Sequence, residues 1–462
     1  MKTIVIGSGG REHAIAWALA KSPKVSEVIC IPGNGGTAFE EKCRNLPVSV
    51  SETSRVVEAC AGELAGLVDG SFVVVGPEDP LAAGLSDRLA EAGLRVVGPH
   101  RAGATLEASK DVAKSFMAKY GVACPSSKTF TDSGEAIAEI RRIDGPVVVK
   151  ADGLAAGKGV VVAPNAETAI RAVTDFMVDK SLGSAGRKVV LEEYLEGDEV
   201  SILAAVSSTP ELVAAGKASI VPFVTARDHK RLRDGAKGPN TGGMGAIAPA
   251  PGVDAEILAR FRTDILEPTL RGLGAEGFDY RGFIFFGLML TAKGPKLLEY
   301  NVRLGDPETQ AVLPLMDFDF ASMCEAIMDG SLVDFPFAWK DGFVCAPVAV
   351  SGGYPGSYPK GLAITIDEQA VETSGAKVFI AGATVNQRQG ANRPDMPRAA
   401  PGQLVTSGGR VLASSAFGAT VDEARAKAYK GLAAVSFDGV FYRKDIGLPG
   451  AASSGNLRGD IC

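Results

Sequence analysis

Histidine and cysteine are scarce and scattered in this chain, which removes several kinds of chemistry at once. Only three histidines occur in 462 residues, at 13, 100 and 229, leaving very few candidates for a Ser-His-Asp or His-rich metal mechanism. The seven cysteines, at 30, 43, 60, 124, 324, 345 and 462, contain no CxxC pair and are odd in number. They read as reduced thiols of a cytoplasmic protein, not as a disulfide framework or a zinc site. Long hydrophobic runs are also missing. The most apolar window, 283–292, is bounded by Arg281 and Lys293, and falls far short of the ~20 residues that cross a bilayer. The first apolar run covers only three residues, so the chain opens on a strand and turn and not on a signal peptide. A formal net charge of −6 without a long basic block excludes the usual footprint of a nucleic-acid binder.

What is present is glycine, 56 residues of it, placed in recurring turns. The length implies three or four domains, and 46% hydrophobic with 22% charged residues is a soluble globular composition. In the first third, apolar strands at 3–6, 28–31 and 72–75 each end in a Gly- or Pro-rich turn. A helix carrying Ala14, Ile15, Ala18 and Leu19, a helical 81–92 and a strand at 95–97 complete an α/β order of parallel type. Ligands then sit beyond the carboxyl ends of the strands. A dinucleotide is disfavoured, because Glu12 stands where GxGxxG needs its third glycine and the turn at 32–36 replaces the ribose-binding acid. Backbone N–H groups of Gly9 and Gly10, beside Arg11, instead suit the phosphate of a small substrate.

The middle of the chain reads as nucleotide-binding. A helix is expected over 106–120, with Val112, Ala113, Phe116 and Met117 inward and Lys110 near its start. A strand at 146–150, the run ADGLAAGKG at 151–159 and a strand at 160–163 form a glycine hairpin. It is not a P-loop: Gly153 and Gly157 are one residue too close, and Gly159 replaces Ser or Thr. Its backbone donors can still approach phosphates without Cβ obstruction. Lys158 adds charge, and Lys150 can reach an α- or β-phosphate. Carboxylates follow at Glu192, Glu193 and Glu199, around strands at 189–194 and 200–206.

The run LEYNVRLGDPETQ at 298–310 carries the most chemistry. It returns from the apolar 283–290 through a Lys293-Gly294-Pro295 turn, so 297–301 is expected to be the second strand of a hairpin. Alternation then puts Glu299 and Asn301 on one face, two hard oxygen ligands suited to Mg²⁺ that also keeps water and phosphate. Arg303 and Asp306 follow, a pattern that points to phosphoryl transfer.

These segments together resemble the ATP-grasp ligases, and within them the phosphoribosylamine–glycine ligase (glycinamide ribonucleotide synthetase) family. The matching stretches are GSGGREHA at 7–14, PGNGGTA at 32–38, VGPEDPL at 75–81, VVKADGLAAGKGVVVA at 148–163 and LEEYLEGDEVS at 191–201. They continue with ARDHKRLRDGAKGPNTGGMGA at 226–246, EYNVRLGDPETQ at 299–310, SGGYPGSYPKG at 351–361 and GGRVL at 408–412. The resemblance implies an α/β and α+β multidomain protein: a biotin-carboxylase-like N-terminal domain at 1–102, a connecting helix at 103–123, ATP-grasp subdomains at 124–190 and 191–332, a small β-rich barrel-like domain at 333–449 and a tail at 450–462. It implies an ATP-dependent ligase that joins glycine to 5-phosphoribosylamine through a glycyl phosphate, in cytoplasmic purine biosynthesis.

By the same resemblance Glu299 and Asn301 hold Mg²⁺ or Mn²⁺, Arg303 stabilises the transferring phosphoryl group and Asp306 orients the amine. Lys110, Lys150, Gly157, Lys158 and Gly159 hold the ATP phosphates, Glu192, Tyr194 and Leu195 surround adenine, and Glu199 takes ribose. Gly9, Gly10, Asn34, Pro77 and Glu78 line the phosphoribosylamine side. Asp228, His229, Lys230 and the loop Asn240, Thr241, Gly242 and Gly243 face glycine and the transferring phosphate. Transient contact with the enzyme supplying phosphoribosylamine is a further implication. Gly287 departs from the superfamily pattern, which has another metal-binding carboxylate there, and 386–402 reads as an inserted surface loop. The alternatives are another purine-pathway ATP-grasp ligase, an NAD(P)-dependent oxidoreductase, and an inactive nucleotide-binding module. The last is opposed by the retention of Lys150, Glu299, Asn301 and Arg303.

Overall fold

The central strands of the N-terminal sheet are unbroken apolar runs because both of its faces are covered. In the computed structural model, which describes residues 1–66, 70–155, 157–386 and 402–451, Ile4 and Ile6 enter one buried cluster and Val5 the other. The strands are β1 (Lys2–Gly7), β2 (Glu27–Pro32), β3 (Cys43–Asn45), β4 (Phe72–Val75) and β5 (Val96–Val97), parallel and ordered β3-β2-β1-β4-β5. Helices α1 (Gly10–Ala20), α2 (Thr53–Leu64), α3 (Glu78–Ala82) and α4 (Leu85–Glu91) supply the crossovers. The chain builds out to one side of β1 and then returns to the other, so the turns after β1 and β4 flank the crevice where such sheets take ligands.

Two helices expected from apolar spacing are each broken. The 81–92 helix divides at Gly84, whose φ of +82 is a left-handed conformation open to glycine. The 106–120 helix divides into α5 (Arg101–Ala108) and α6 (Lys110–Tyr120). Ser109 between them is extended, at φ −138, and its hydroxyl accepts the Val112 N–H at 3.1 Å to cap α6. The restart leaves Val112, expected inward, 40% exposed, while Ala113, Phe116 and Met117 are buried.

The next unit is an antiparallel sheet of β6 (Ser127–Phe130), β7 (Val147–Ala151), β8 (Val160–Ala163) and β9 (Val189–Glu193), ordered β6-β9-β7-β8. Helices α7 (Ser133–Ile143) and α8 (Ala166–Val173) pack on it through Ala136, Ile140, Ala169 and Val173. The successive strands β7 and β8 pair antiparallel, Val147 with Ala163 through Lys150 with Val160, which is the expected glycine hairpin.

A larger antiparallel sheet follows, built from β10 (Asp198–Ser208), β11 (Ser219–Asp228), β14 (Gly245–Ala248), β15 (Tyr280–Thr291) and β16 (Gly294–Asn301), with the ribbon β12 (Arg231–Arg233) and β13 (Lys237–Asn240) beside it. Phe283 and Phe285 belong to one core cluster and Ile284, Phe286 and Leu288 to the other, which is why 283–290 is apolar without alternation. Phe286 sits edge-on to Phe261 at 5.2 Å and Tyr300 at 5.7 Å; burying a side chain of this size contributes ~1.5–3 kcal/mol.

Three C-terminal strands, β17 (Phe343–Val350), β19 (Ala376–Ile380) and β22 (Arg410–Gly418), continue that sheet to eight strands, in the order β16-β15-β10-β11-β14-β17-β22-β19. Short ribbons of β18 (Thr365–Ile366) with β23 (Val435–Ser436), and of β20 (Ala383–Val385) with β21 (Leu404–Thr406), flank it. The C-terminal region is therefore a small sheet region continuous with the large sheet, and among the described residues its strands do not pair into a closed barrel. The expected loop at 386–402 lies, apart from Asn386 and Gly402, outside the described residues, as does the expected tail beyond Ala451. Among the described residues no helix is long and apolar enough to cross a membrane.

Candidate active site

Glu299 and Asn301 share a face at the end of β16, as the alternation predicts. Their partners across the ladder are Gly287 and Phe285. A Cβ added at Gly287 would lie 3.3 Å from Glu299 Cγ, so the glycine leaves that space to the glutamate. Lys110 Nζ is 2.9 Å from Glu299 Oε2. Burial acts to raise the Glu299 pKa, but Lys110, Lys230 and Lys150 together hold its carboxyl well below the usual carboxylate range. The Asn301 amide oxygen accepts from Arg303 Nη2 at 3.1 Å. Among the described residues no group of three or more His, Cys, Asp or Glu side chains could hold a metal ion. Two hard oxygens without a full protein cage fit an ion that completes its shell with water and phosphate, as Mg²⁺ does.

Arg303 is a junction between the N-terminal crevice and this strand end. Its Nε lies 3.1 Å from Glu78 Oε2 and its Nη2 lies 2.8 Å from Glu107 Oε1. Burial disfavours the guanidinium charge, but Glu107 and Glu78 override it and raise the pKa. Burial also pushes at Glu78, where Arg303 and Arg11 prevail and bring the carboxyl down to about 2. Glu107, 4% exposed, accepts the Val302 N–H at 2.7 Å, and burial raises its pKa against the pull of Arg303.

The nucleotide-side residues assemble around Glu192, which is 2% exposed. Lys150 Nζ stands 2.9 Å from one of its oxygens and Lys114 Nζ 3.1 Å from the other, the second pair without hydrogen-bond alignment. Lys150 also donates to Leu298 O at 3.1 Å, and burial lowers the Lys114 pKa. Tyr194 and Leu195 follow β9 half-buried, while Gly157 and Lys158 are exposed in the hairpin. A Cβ at Gly159 would come within 2.9 Å of Ala155 Cβ, so glycine keeps this turn tight. Glu199 Oε2 lies 3.2 Å from Lys230 Nζ, and that charge is the main reason the Lys230 pKa is raised.

The substrate-side expectations need correction at three points. The Gly9 N–H is not free for a phosphate, because Glu12, the third residue of α1, reaches back and accepts it at 2.6 Å. Glu12 is 3% exposed and fills the space that side chains at Gly7, Gly9 or Gly76 would enter. Asn34 lines a cavity of about 590 Å³ together with Ser8, Gly9, Asp306, Gly382 and Arg410. Its amide group, however, donates to Ser8 O, Gly9 O and Ile380 O at 2.8–3.2 Å, and its oxygen accepts from Gly36 and Thr37 N–H. Asn34 therefore braces the N-terminal turn against the C-terminal strands and is not a side-chain ligand. His229 is 1% exposed; Nδ1 pairs with Gly245 O at 3.1 Å and Nε2 accepts from Gly447 N at 3.2 Å. It holds backbone and does not face glycine.

The other expected residues are placed as follows. Gly10 is buried against Gln310, Pro77 precedes α3 half-buried, and Asn240 is exposed at the end of β13. Gly243, at φ +114, lets the 240–243 turn pass close to Asp228 and Pro307. Asp228 Oδ1 is buried without a hydrogen-bond partner. Burial and the neighbouring Glu308 raise its pKa, against Lys230 and Arg410. Thr241 N donates to Lys230 O at 2.8 Å. Asp306 accepts from Gln310 Nε2 at 2.8 Å and pairs with Arg410 Nη2 at 3.2 Å; Arg410 and Arg11 overcome burial to lower its pKa. Sequence reasoning missed Glu107, Lys114 and Arg410. The Lys110–Lys114 spacing of one helical turn was a usable signal; Arg410 offered none beyond its place in the GGRVL stretch.

Models of three domain families match in order: phosphoribosylglycinamide synthetase, N domain, over 1–107, its ATP-grasp (A) domain over 108–309, and its C domain over 344–449. The phosphoribosylamine–glycine ligase of Clostridium acetobutylicum is 47% identical over 447 residues, covering 97% of this chain and 99% of that one. The crystal structure of the Thermotoga maritima phosphoribosylamine–glycine ligase superposes with a TM-score of 0.78 at 34% identity, covering 96% of this chain and 100% of that one. The biotin carboxylase domain of Hydrogenobacter thermophilus 2-oxoglutarate carboxylase gives 0.67 at 15% identity over 95% and 91% of the two chains, a likeness of fold alone.

Proposed function

Because the chain belongs to the phosphoribosylglycinamide synthetase family, we propose that the cluster from Glu299 to Asp306 activates a carboxylate by phosphorylation and hands it to an amine. The enzyme is an ATP-dependent ligase that joins glycine to phosphoribosylamine, giving glycinamide ribonucleotide, ADP and phosphate in purine biosynthesis. The observation that carries the site assignment is the Lys110–Glu299 pair at 2.9 Å, flanked by Lys150 on Glu192 and Lys230 on Glu199, whose charges help keep the Glu299 carboxylate ionised and favour polyphosphate.

In this reading Lys110, Lys150 and the hairpin at Gly157, Lys158 and Gly159 hold the ATP phosphates. Glu192, Tyr194 and Leu195 frame the adenine, and Glu199 meets ribose. Glu299 and Asn301 hold Mg²⁺ or Mn²⁺, which when bound neutralises phosphate charge. Arg303, held between Glu78 and Glu107, stabilises charge on the transferring phosphoryl group. A glycine oxygen attacks the γ-phosphorus and expels ADP; the amine then attacks the glycyl carbonyl carbon, loses a proton and expels phosphate. Asp306 orients that amine. Asp228, with its unpartnered buried oxygen, suits the ammonium of glycine beside Lys230 and the turn from Asn240 through Gly243.

We assign the phosphoribosyl substrate to 1–102, with Gly9, Gly10, Pro77 and Glu78 at the crevice; 103–123 connects this region to the ATP-grasp parts at 124–190 and 191–332, and 333–449 closes the cavity. Free thiols at all six described cysteines support a cytoplasmic location. Transient contact with the supplying enzyme belongs to the proposal, since an unsubstituted glycosylamine hydrolyses in water. A coupled ADP-release assay tests the reaction: ADP is expected only when glycine, phosphoribosylamine, ATP and Mg²⁺ are all present. Turnover with bicarbonate and none with glycine would transfer the assignment to another carboxylate ligase.

A further inference from the structure

Two stretches picked out in the sequence, SGGYPGSYPKG and GGRVL, have no part in the roles given so far. They are stitched together: Ser351 N donates to Gly409 O at 2.8 Å, and Ser351 Oγ donates to Gly408 O at 2.9 Å. The Tyr354 ring lies so close over Gly409 that a Cβ there would come within 2.3 Å of Cδ2. From this platform the Tyr354 hydroxyl accepts the Gly242 N–H at 2.9 Å, and Arg410 Nη1 donates to Gly242 O. Both polar groups of one residue in the 240–243 turn are thus held by the C-terminal region. The same Arg410 donates through Nη1 to Asp306 O at 2.7 Å and pairs through Nη2 with Asp306 Oδ2 at 3.2 Å.

We propose that Tyr354 and Arg410 are positioning residues that clamp Gly242 and Asp306 to each other, fixing the spacing between the glycine-facing turn and the residue that orients the amine. This rests on the ligase reading above for its kinetic consequence, but not for its structural one. The turn is anchored on either side of Gly242, by Thr241, whose N–H and hydroxyl donate to Lys230 O, and by Gly243, whose N–H donates to Thr241 Oγ1 and which packs on Asp228 and Pro307; the N–H and carbonyl of Gly242 itself go to Tyr354 and Arg410. ATP binding, by contrast, draws on Lys110, Lys150 and Glu192, which the clamp does not touch.

The test compares Tyr354→Phe, which keeps the ring on Gly409 and removes the acceptor, with Arg410→Lys, which keeps the charge and loses the planar fork. For Tyr354→Phe we expect amide exchange in the peptide around Gly242 to quicken ~10-fold, as loss of a single hydrogen bond allows, with exchange in β10 and β15 unchanged. The KM for glycine should rise ~5–10-fold, and that for phosphoribosylamine with it, as removal of about 1–1.4 kcal/mol of positioning predicts, while ATP affinity stays the same. Arg410→Lys should show the same pattern more strongly. Unchanged exchange at Gly242 overturns the clamp whatever the reaction proves to be. Faster exchange with glycine KM unmoved, or equal losses in ATP affinity and melting temperature, reduces both residues to structural supports and overturns the positioning role.

Discussion

Arg303→Ala is expected to lower kcat by ~10²–10³-fold, the usual consequence of removing a donor aimed at transition-state charge, with the ATP dissociation constant nearly unchanged. The structure adds a second consequence that sequence could not give. Arg303 is the counter-ion of Glu107, which is buried, and of Glu78, which is partly buried. Its removal leaves Glu107 uncompensated, a loss that typically costs ~3–5 kcal/mol of stability. Arg303→Lys separates the two effects. It keeps a charge between the carboxylates but cannot reach Glu78, Glu107 and Asn301 as a planar fork does. Its melting temperature should fall less than that of the alanine variant, while kcat still drops ~10–10²-fold. Single-turnover kinetics with a calorimetric ATP titration would check this; full kcat in Arg303→Lys would mean the guanidinium is a structural counter-ion and nothing more.

Glu299→Gln should be comparably severe and should differ in kind. The substitution preserves shape and removes the negative charge that Lys110, Lys150 and Lys230 maintain. The proposed charged ligand to the divalent ion becomes a neutral amide oxygen, and three cations remain without the carboxylate among them. A divalent ion's stabilisation of transition-state charge is worth several kcal/mol, so with the ion held without that charge kcat/KM for ATP should fall ~10²–10³-fold. The Mg²⁺ concentration giving half-maximal rate should rise at the same time. Titrating Mg²⁺ at saturating ATP reads this directly; an unaltered Mg²⁺ dependence would exclude Glu299 as a ligand. Because Gly287 stands opposite and Glu299 occupies its space, Gly287→Asp is not expected to rescue the variant.

The placement of Glu299 and Asn301 was legible because it depends on local geometry. Strand alternation fixes Glu299 and Asn301 on one face whatever surrounds them, and a hairpin bounded by a Gly294 turn is a short-range structure. The parallel N-terminal sheet was legible for the same reason, through apolar runs each closed by a glycine turn. What failed was fixed by distant partners or by a single side chain. Nothing in the apolar spacing of 106–120 reveals that Ser109 will turn its hydroxyl to cap a new helix. Asn34 looked like a substrate ligand until Ile380 O, far along the chain, took one of its donors. Gly9 looked like a phosphate cradle because Glu12 was read only as a missing glycine, and not as the carboxylate that occupies the cradle. The C-terminal strands could be expected, but their joining the large sheet through β14 and β17 depends on pairing that no local pattern encodes.

In the proposed reaction the glycine carboxylate becomes an acyl phosphate at this site before the amine attacks. This step can be read from the fate of an oxygen atom. With glycine labelled by ¹⁸O in both carboxylate positions, and ATP and phosphoribosylamine unlabelled, mass spectrometry of the released inorganic phosphate reports whether the attacking oxygen came from glycine. Each phosphate is expected to carry a single ¹⁸O atom, and the amide product to keep the other. Phosphate free of label, with turnover otherwise intact, would contradict it.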